Sequence, residues 1–197
     1  MLRLEDLQIP NIEAVSLTVG PGECVGLTGE SGCGKTRLLR AIADMDEHGG
    51  QVYAEDIAQD QVMAHEWRRR VALLPAESLW WFDTVGQHFS AHEKQIKALG
   101  FPADVMHWQV SRCSSGEKQR LAILRMLASC PRVLLLDEPT ANLDAANAER
   151  VEQLLADYLE EHNAFAIWVG HDVSQLQRVS RRQYRLRQGK LIEASAA

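Results

Sequence analysis

Two short segments carry most of the residues that could do chemistry. The first is a run of eight residues that fits the pattern G-x-x-x-x-G-K-S/T without a mismatch: Gly29, Glu30, Ser31, Gly32, Cys33, Gly34, Lys35 and Thr36. Glycines let backbone N–H groups turn inward around phosphate oxygens. The lysine places its charge on the β- and γ-phosphates, and the hydroxyl that follows it ligates Mg²⁺. We therefore expect a nucleoside-triphosphate site, with Lys35 as a catalytic cation and Thr36 as a metal ligand. The alternative is a tight glycine turn with a chance lysine, but strand and helix signals flank the run in register.

The second segment is an apolar run, Val133 to Leu136, that ends in Asp137 and Glu138. Ligands of open α/β sheets bind at the carboxyl ends of the strands. We expect Asp137 to hold Mg²⁺ through water, and Glu138 to polarise the attacking water as the catalytic base. Taken alone, two acids after a strand fit simple solvation of a strand end equally well. The other motifs of the chain decide between these interpretations.

Composition limits the class of protein. The chain has 197 residues, 46% hydrophobic residues and a formal net charge of −6, which suits one globular domain and argues against a nucleic-acid surface. The basic cluster Arg68–Arg70 is interpreted as a solvated helix face. The four cysteines show no C-x-x-C spacing, so neither a zinc site nor a disulfide framework is expected. No signal-peptide pattern and no long apolar run are visible, which favours a cytoplasmic location.

Strand and helix signals alternate along the chain. Strands are predicted at Leu2–Ile9, Glu13–Val19, Cys24–Thr28, Gln51–Ala54, Val71–Leu74, Val133–Asp137 and Phe165–Val169. Helices are predicted from near Lys35 to a break at Gly49–Gly50, after Ser114, and over Ala145–Glu161. A terminal hairpin over Gln183–Glu193 should turn at Gly189.

This alternation implies an α/β fold with a mostly parallel sheet covered by helices. Helix-like sequence between Thr84 and Cys113 replaces the alternation, so we interpret residues from about 76 to 130 as an inserted α-helical lobe. The whole chain, 1–197, is then one domain whose α/β core comprises about 1–75 and 131–197. Its first strands form an N-terminal antiparallel β-subdomain.

Four segments in this order resemble the motif set of ABC ATPases, and the resemblance covers nearly the whole chain. They are Gly29–Thr36, Cys113–Arg120, Leu136–Asp144 and Val169–Asp172. The first is shared by many nucleotide hydrolases, whereas the signature loop after Cys113 and the DEPTANLD stretch are specific. The resemblance implies a P-loop NTPase core that binds ATP with Mg²⁺ and hydrolyses it.

The resemblance also implies residue roles and partners. The signature loop, Ser114, Ser115, Gly116 and Glu117, would contact ATP held by a second copy in a head-to-tail dimer. Asp144 would lie on the loop between the two sites, and His171 would contact the γ-phosphate. The partner would be a membrane permease on a separate chain, reached from the inner face of the cell membrane. Whether the ATPase dimer is a homodimer or a heterodimer stays open.

Three departures from the family pattern affect the details. Ser115 replaces an expected glycine, so we predict a strained backbone there and weaker dimer closure. Ala76 occupies the position of a glutamine ligand, and the neighbouring Glu77 is either a displaced ligand or a surface residue. Gln8–Glu13 contains no aromatic residue to stack on adenine, so GTP should compete with ATP.

An aromatic triplet, Trp80–Phe82, follows Ala76. It is interpreted either as a docking anchor for the permease or as core of the lobe. Trp67, Trp108 and Trp168 are interpreted as packing residues.

Three functions are compatible with these motifs. The leading one is a transport ATPase, with a finer likeness to small bacterial ATPases of metal-exporter type. The second is a non-transport member of the superfamily, such as a scaffold in cofactor assembly. The third is a nucleotide sensor with low turnover, which Ala76 and Ser115 favour and the intact Glu138 and His171 oppose.

Overall fold

The computed structural model describes residues 1–89 and 96–194 of the chain. Its strands form two sheets, one of four strands in the order β2-β1-β4-β5 and one of six in the order β10-β9-β3-β8-β7-β6. The ten strands are β1 Leu2–Ile9, β2 Ile12–Val19, β3 Cys24–Gly29, β4 Gly49–Ala54, β5 Ile57–Ala58, β6 Val71–Leu74, β7 Val133–Asp137, β8 Phe165–Val169, β9 Arg182–Arg187 and β10 Lys190–Glu193. The five α-helices are α1 Lys35–Ile42, α2 Ala64–Arg70, α3 Ser115–Leu127, α4 Ala145–His162 and α5 Val173–Val179.

The six-stranded sheet is parallel from β6 through β7, β8 and β3 to β9, and only the edge strand β10 runs antiparallel. The four-stranded sheet is antiparallel throughout. Both parts of the predicted architecture, a mostly parallel core and an N-terminal antiparallel β-subdomain, are therefore confirmed. The terminal hairpin is confirmed as well, because β9 and β10 are joined at Gln188 and Gly189.

The parallel sheet is buried on both faces, and its central strands divide their side chains between two cores. In β7, Val133 and Leu135 point to the core shared with α1 and the antiparallel sheet, whereas Leu134 and Leu136 point to the core shared with α3 and α4. This division follows from the two-residue period of a strand. It explains why these strands read as continuous apolar runs. Both cores hold the carboxyl end of β7 rigidly, and that end carries the acids of the candidate site.

One predicted helix end and one predicted type of secondary structure are wrong. Helix α1 ends at Ile42, not at Gly49–Gly50, because Asp44 adopts a left-handed conformation (φ 58°) that turns the chain away. Residues Gly49 and Gly50 instead begin β4. The stretch after Thr84, predicted to be helix-like, forms short 3₁₀ turns separated by other turns and loop in its described residues, and residues 90–95 lie outside the described residues. These turns are Val85–His88, Val105–His107 and Val110–Arg112.

Three of the tryptophans behave as predicted, since Trp67 and Trp168 are fully buried and Trp108 packs against the core. The cluster Arg68–Arg70 lies at the end of α2 and is mostly exposed. No helix in residues 1–89 and 96–194 combines the length and the apolar character needed to cross a membrane.

Candidate nucleotide site

The phosphate loop joins the carboxyl end of β3 to the first turn of α1. Three of its glycines have positive φ, 154° at Gly29, 77° at Gly32 and 110° at Gly34. A Cβ at Gly29 would lie 2.5 Å from the carbonyl oxygen of Leu186, and one at Gly34 would lie 2.7 Å from Cδ1 of Ile12. The loop is therefore packed tightly from behind, and only glycine permits its path. A helix N-terminus at the mouth of such a loop attracts phosphate groups.

Lys35 and Thr36 stand at the start of α1 and face the loop interior. Lys35 is only 7% exposed, and its Nζ donates to the carbonyl oxygens of Gly29 (2.8 Å) and Glu30 (3.1 Å). The ammonium therefore lies within the curve of the loop, where phosphate oxygens would replace the carbonyl partners. Thr36 Oγ1 donates to Asp137 Oδ2 at 2.8 Å. This contact joins the two halves of the site, which are 101 positions apart in the sequence.

The acids at the end of β7 differ in their surroundings. Asp137 is buried, and burial raises the pKa of its carboxyl group, against the hydrogen bond from Thr36 and the charge of Lys35. Glu138 is partly exposed and lies within 2.7 Å of His171, measured from Oε1 to Nε2. Glu138 has φ 50°, an unusual conformation for a side-chain-bearing residue, and its N–H donates to Val169 O. Left-handed backbone at a residue with a side chain is strained, and such strain is concentrated at functional sites.

The signature loop forms the N-terminal cap of α3, and its backbone at Ser115 is not strained. Ser114 is the N-cap: its Oγ accepts from Glu117 N at 3.2 Å, and Glu117 Oε2 accepts from Ser114 N at 2.8 Å. This reciprocal pair is a capping box. Ser115 is the first residue of α3, so its backbone is right-handed helical, and the strain predicted for it is absent. That prediction is wrong because a helix N1 position accepts a side chain freely.

The signature loop lies beside the Asp144 loop of its own chain. A Cβ at Gly116 would lie 2.9 Å from Asn142 O, and Asp144 is the N-cap of α4, accepting from Asn147 N at 2.9 Å. The described contacts of Ser114 and Gly116 are to Glu117 and this loop, not to the phosphate loop. Ser114, Ser115 and residues 30–32 of the phosphate loop are exposed.

Ala76 and Glu77 are both exposed in the bend that follows β6. The aromatic triplet divides between its two interpretations: Trp80 packs against the core, whereas Trp81 is 63% and Phe82 47% exposed. The β1–β2 turn carries no aromatic residue, and it places Ile12 against Gly34 of the phosphate loop.

Two groups of supporting residues escaped the sequence reasoning. Leu186 and Ile12 back the phosphate loop, and no sequence signal links them to it because they are distant along the chain. Thr140, two residues after Glu138, exchanges hydrogen bonds with Gln175 of α5, whose Nε2 also donates to Glu152 of α4 at 2.7 Å. Thr140 and Gln175 are both buried polar residues, which need hydrogen-bond partners. Their sequence signal is their place, two residues after Glu138 and four residues after His171.

Comparison with known proteins decides the family. The family model described as "ABC transporter" matches residues 12–141. The chain belongs to the ABC transporter family. Its relatives include the aliphatic sulfonates import ATP-binding protein SsuB 3 of Paraburkholderia xenovorans, 35% identical over 91% of this chain and 72% of the relative. The aliphatic sulfonates import ATP-binding protein SsuB 2 of Pseudomonas syringae pv. syringae is 32% identical over 92% of this chain and 66% of its own length.

Solved structures share the fold of this ABC ATPase. The ATP-binding cassette MJ0796, in a dimeric post-hydrolysis state bound to ADP and Pi, superposes with a TM-score of 0.85 at 24% identity, covering 98% of both chains. A bacterial Atm1-family ABC exporter with ATP bound gives 0.86 at 21% identity, covering 98% of this chain and 38% of the exporter. The chain is accordingly an ATPase, the ATP-binding and ATP-hydrolysing component of an ABC transporter.

Proposed function

We propose that two copies of this ABC ATPase close head to tail around two Mg-ATP and drive import through a permease on a separate chain. The observation that carries the proposal is the contact of Glu138 with His171, set directly beside the contact of Thr36 with Asp137. The pair Glu138 and His171 and the pair Thr36 and Asp137 then lie together at the end of the phosphate loop. A nucleotide sensor with low turnover would not need the first contact.

Mg²⁺ fits the contact of Thr36 with Asp137. One hydroxyl and one carboxylate are hard oxygen ligands, and Mg²⁺ is held by few protein ligands together with substrate phosphates. When bound, Mg²⁺ would neutralise charge that develops on the phosphate oxygens. Burial of Asp137 gives its carboxylate a strong reason to take a cation, because desolvation otherwise disfavours the charged form. Lys35 holds the β- and γ-phosphates in the same place.

Glu138 acts as the general base and His171 keeps it in position. The Glu138 carboxylate orients the attacking water and takes its proton as the bond from water oxygen to the γ-phosphorus forms. The bond from that phosphorus to the β–γ bridging oxygen breaks, and ADP leaves with the bridging oxygen. His171 Nε2, 2.7 Å from the Glu138 carboxylate, holds that group toward the site and also faces the γ-phosphate.

Dimerisation completes the site because the signature loop cannot serve its own chain. Ser114 and Gly116 are on the surface next to the Asp144 loop. The Ser114 hydroxyl and the N-terminus of α3, which has 13 residues, are suited to a γ-phosphate held by the second copy. One chain carries both halves of the machinery, so we propose a homodimer.

The permease side of the proposal rests on the relatives and on the position of residues 76 to 130 in the fold. The relatives reported above are named as import ATP-binding proteins, so we propose import at the cytoplasmic face of the membrane rather than metal export. We also propose that residues from about 76 to 130 form a lobe that receives the permease. β6 and β7 pair directly although they lie on either side of that segment in the sequence, and this pairing supports its insertion as a separate lobe.

Isolation of the intact complex tests the transport role. The tagged chain is purified from detergent-solubilised membranes of its own host, and co-purifying proteins are identified and reconstituted with it in proteoliposomes. We expect a multi-span membrane protein whose presence raises ATP hydrolysis. Recovery of the chain without a membrane partner, with unchanged ATPase activity in proteoliposomes, would contradict the transport role and favour a scaffold or a sensor.

A further inference from the structure

A cavity of about 470 Å³ lies between α4 and α5, over the face of the parallel sheet on which these helices pack. The two helices form its walls, and side chains of β3, β7 and β8 form its floor. Its lining residues, all within the described part of the chain, include neither the phosphate loop nor the pair Glu138 and His171. Cavities of this size bind small organic molecules. The cavity is therefore a second candidate site, apart from the nucleotide site.

The floor and the walls of this cavity are mainly apolar. Leu136 lies on the floor, and Leu155 and Val179 lie on the two walls. Cys24 also lines the floor, and burial raises the pKa of its thiol to about 12. The thiol therefore stays protonated and uncharged at neutral pH. An apolar group that enters the cavity is removed from water, which favours its binding.

The indole of Trp168 adds a hydrogen-bond donor to this floor. Trp168 is 1% exposed, and its Nε1 has no hydrogen-bond partner among the described residues. A buried N–H group without a partner lowers stability, and the N–H groups of buried tryptophans usually have one. An acceptor atom on a molecule packed against the indole would supply the missing partner.

The mouth of the cavity carries an excess of negative charge. Two carboxylates of α4, Glu149 and Glu152, line it together with Arg178 of α5. Arg178 pairs with Glu152 at 3.1 Å, and the Glu152 side chain is only 11% exposed. Glu149 is exposed and makes no ion pair within residues 1–89 and 96–194. One carboxylate is thus left over, and it favours a cationic group at the mouth.

We infer that this cavity binds a small organic amine that also carries an apolar body and a hydrogen-bond acceptor. The protonated nitrogen pairs with Glu149, the body fills the space between α4 and α5, and the acceptor accepts from Trp168 Nε1. An anionic molecule of the same shape would meet the unpaired carboxylate and is disfavoured. Neither ATP nor a permease takes part in this binding, so the inference stands apart from the proposed function.

Three compounds of nearly equal shape test the chemistry of the ligand. The first, 2-(4-acetylphenyl)ethylamine, has the amine, the ring and a carbonyl acceptor. The alcohol 2-(4-acetylphenyl)ethanol lacks the charge, and 2-(4-isopropylphenyl)ethylamine lacks the acceptor. Calorimetric titration of the isolated chain should give the first compound a dissociation constant of about 1 mM, as suits its size. Each of the other two should bind roughly fivefold more weakly, through the loss of one ion pair or one hydrogen bond.

NMR of the indole N–H groups follows the acceptor directly. The resonance of Trp168 is identified by its absence in Trp168→Phe. The first compound should shift this resonance, whereas the isopropyl compound should shift it much less. An unshifted Trp168 resonance at saturation with the first compound would overturn the hydrogen bond to Nε1.

Substitutions on α4 test the place of binding. Glu149→Gln should reduce the affinity for the amine to that of the alcohol and leave binding of the alcohol unchanged. Ala156 lines the cavity and is exposed, so Ala156→Trp should fill the cavity and abolish binding. Glu161→Trp adds the same ring at an exposed position of α4 outside the cavity and should bind like the parent. Nucleotide binding by each variant checks that the chain is folded.

Four results would overturn the inference. They are no binding of the first compound up to about 20 mM, roughly twentyfold above its expected dissociation constant, equal binding of amine and alcohol, parent affinity for the amine in Glu149→Gln, and full binding in Ala156→Trp. All of these measurements use the isolated chain without ATP hydrolysis or a permease. Failure of this inference would therefore leave the proposed function untouched, and failure of the proposed function would leave this site in place.

Discussion

At the scale of single residues, the site depends on a few positions where backbone and side chain have little freedom. Gly29 is enclosed by Leu186 O and Cys33 Sγ, and Glu138 keeps a left-handed backbone to face His171. Lys35 donates to two loop carbonyls, which keeps its buried ammonium satisfied until phosphate oxygens take their place. Residue types alone predicted the roles of these positions. The contacts that enforce them were not predictable, because they come from distant segments.

Two glycines of the phosphate loop give a matched pair of substitutions. A Cβ at Gly29 would meet Leu186 O at 2.5 Å, whereas a Cβ at Gly32 would meet nothing within 4 Å although its φ is also positive. Gly32→Ala should lower the free energy of unfolding by about 1–2 kcal/mol through backbone strain alone. Gly29→Ala should add about 1–3 kcal/mol of overpacking and weaken nucleotide binding. Urea unfolding and nucleotide titration measure both effects, and equal stability of the two variants would contradict the packing argument.

At the scale of elements, hydrogen bonds tie the loop after β7 to α4 and α5. Gln175 bonds to both Thr140 and Glu152, and Arg178 bonds to Glu152 from outside. The loop carries Glu138 and α5 follows His171, so we expect this network to fix the distance between Glu138 and His171.

Gln175→Ala and Arg178→Ala therefore have different expected effects. Gln175→Ala removes the Gln175 side chain, which is the described hydrogen-bond partner of the buried Thr140 hydroxyl. It should cost about 1–3 kcal/mol of stability. We also expect it to slow ATP hydrolysis more than it weakens ATP binding. Arg178→Ala removes a side chain that is 55% exposed, and Gln175 still donates to Glu152, so this variant should change little. Thermal unfolding and steady-state kinetics of both variants check this, and a larger effect of Arg178→Ala on either readout would refute the role of the network.

The β1–β2 turn limits recognition of the base. It is a tight connection from Ile9 to Ile12 that carries no aromatic ring and packs on the phosphate loop. Stacking of a base on an aromatic ring contributes about 1–3 kcal/mol. Without it, GTP should displace ATP with an affinity within roughly tenfold. A competition titration measures the ratio, and a strong preference for ATP would show that another element reads the base.

The elements themselves show what sequence patterns can predict. The strands of the parallel sheet were predictable because apolar runs bounded by turns leave few alternatives. The end of α1 was misplaced because Gly49–Gly50 suggested a break, whereas the left-handed Asp44 ends the helix earlier. The stretch after Thr84 was predicted to be helix-like because short 3₁₀ turns repeat apolar residues at a spacing close to that of an α-helix.

At the scale of the whole molecule, the separation of the signature loop from the phosphate loop is the main consequence of the fold. α3 places Gly116 against the loop before Asp144, and the described contacts of Ser114 and Gly116 do not include the phosphate loop. This separation supports our proposal that a single chain holds two incomplete halves of a site. Sequence resemblance predicted the division of roles. The spatial separation needed the structure, because nothing in the spacing of the motifs fixes the direction in which α3 points.

Substitutions at Ser114 test this division. Asn retains N-cap ability without the hydroxyl, and Thr retains both. Ser114→Asn should keep the stability of the chain and its binding of ATP as a monomer, yet lose ATP-dependent dimerisation. Ser114→Thr should keep part of the dimerisation. Light scattering with and without ATP measures the result, and a normal dimer in Ser114→Asn would mean that the hydroxyl plays no part in closure.

The most direct test of the account is the steady-state ATPase activity of the chain beside Glu138→Gln, with mass followed by light scattering. The parent, of 22.1 kDa, should hydrolyse ATP, and removal of the general base should lower the rate about 10²–10⁴-fold. Because ATP then persists, Glu138→Gln should accumulate as a dimer only when ATP is present. Hydrolysis by Glu138→Gln at the parent rate, or failure of both proteins to dimerise with ATP, would contradict the assignment of Glu138 and the head-to-tail homodimer.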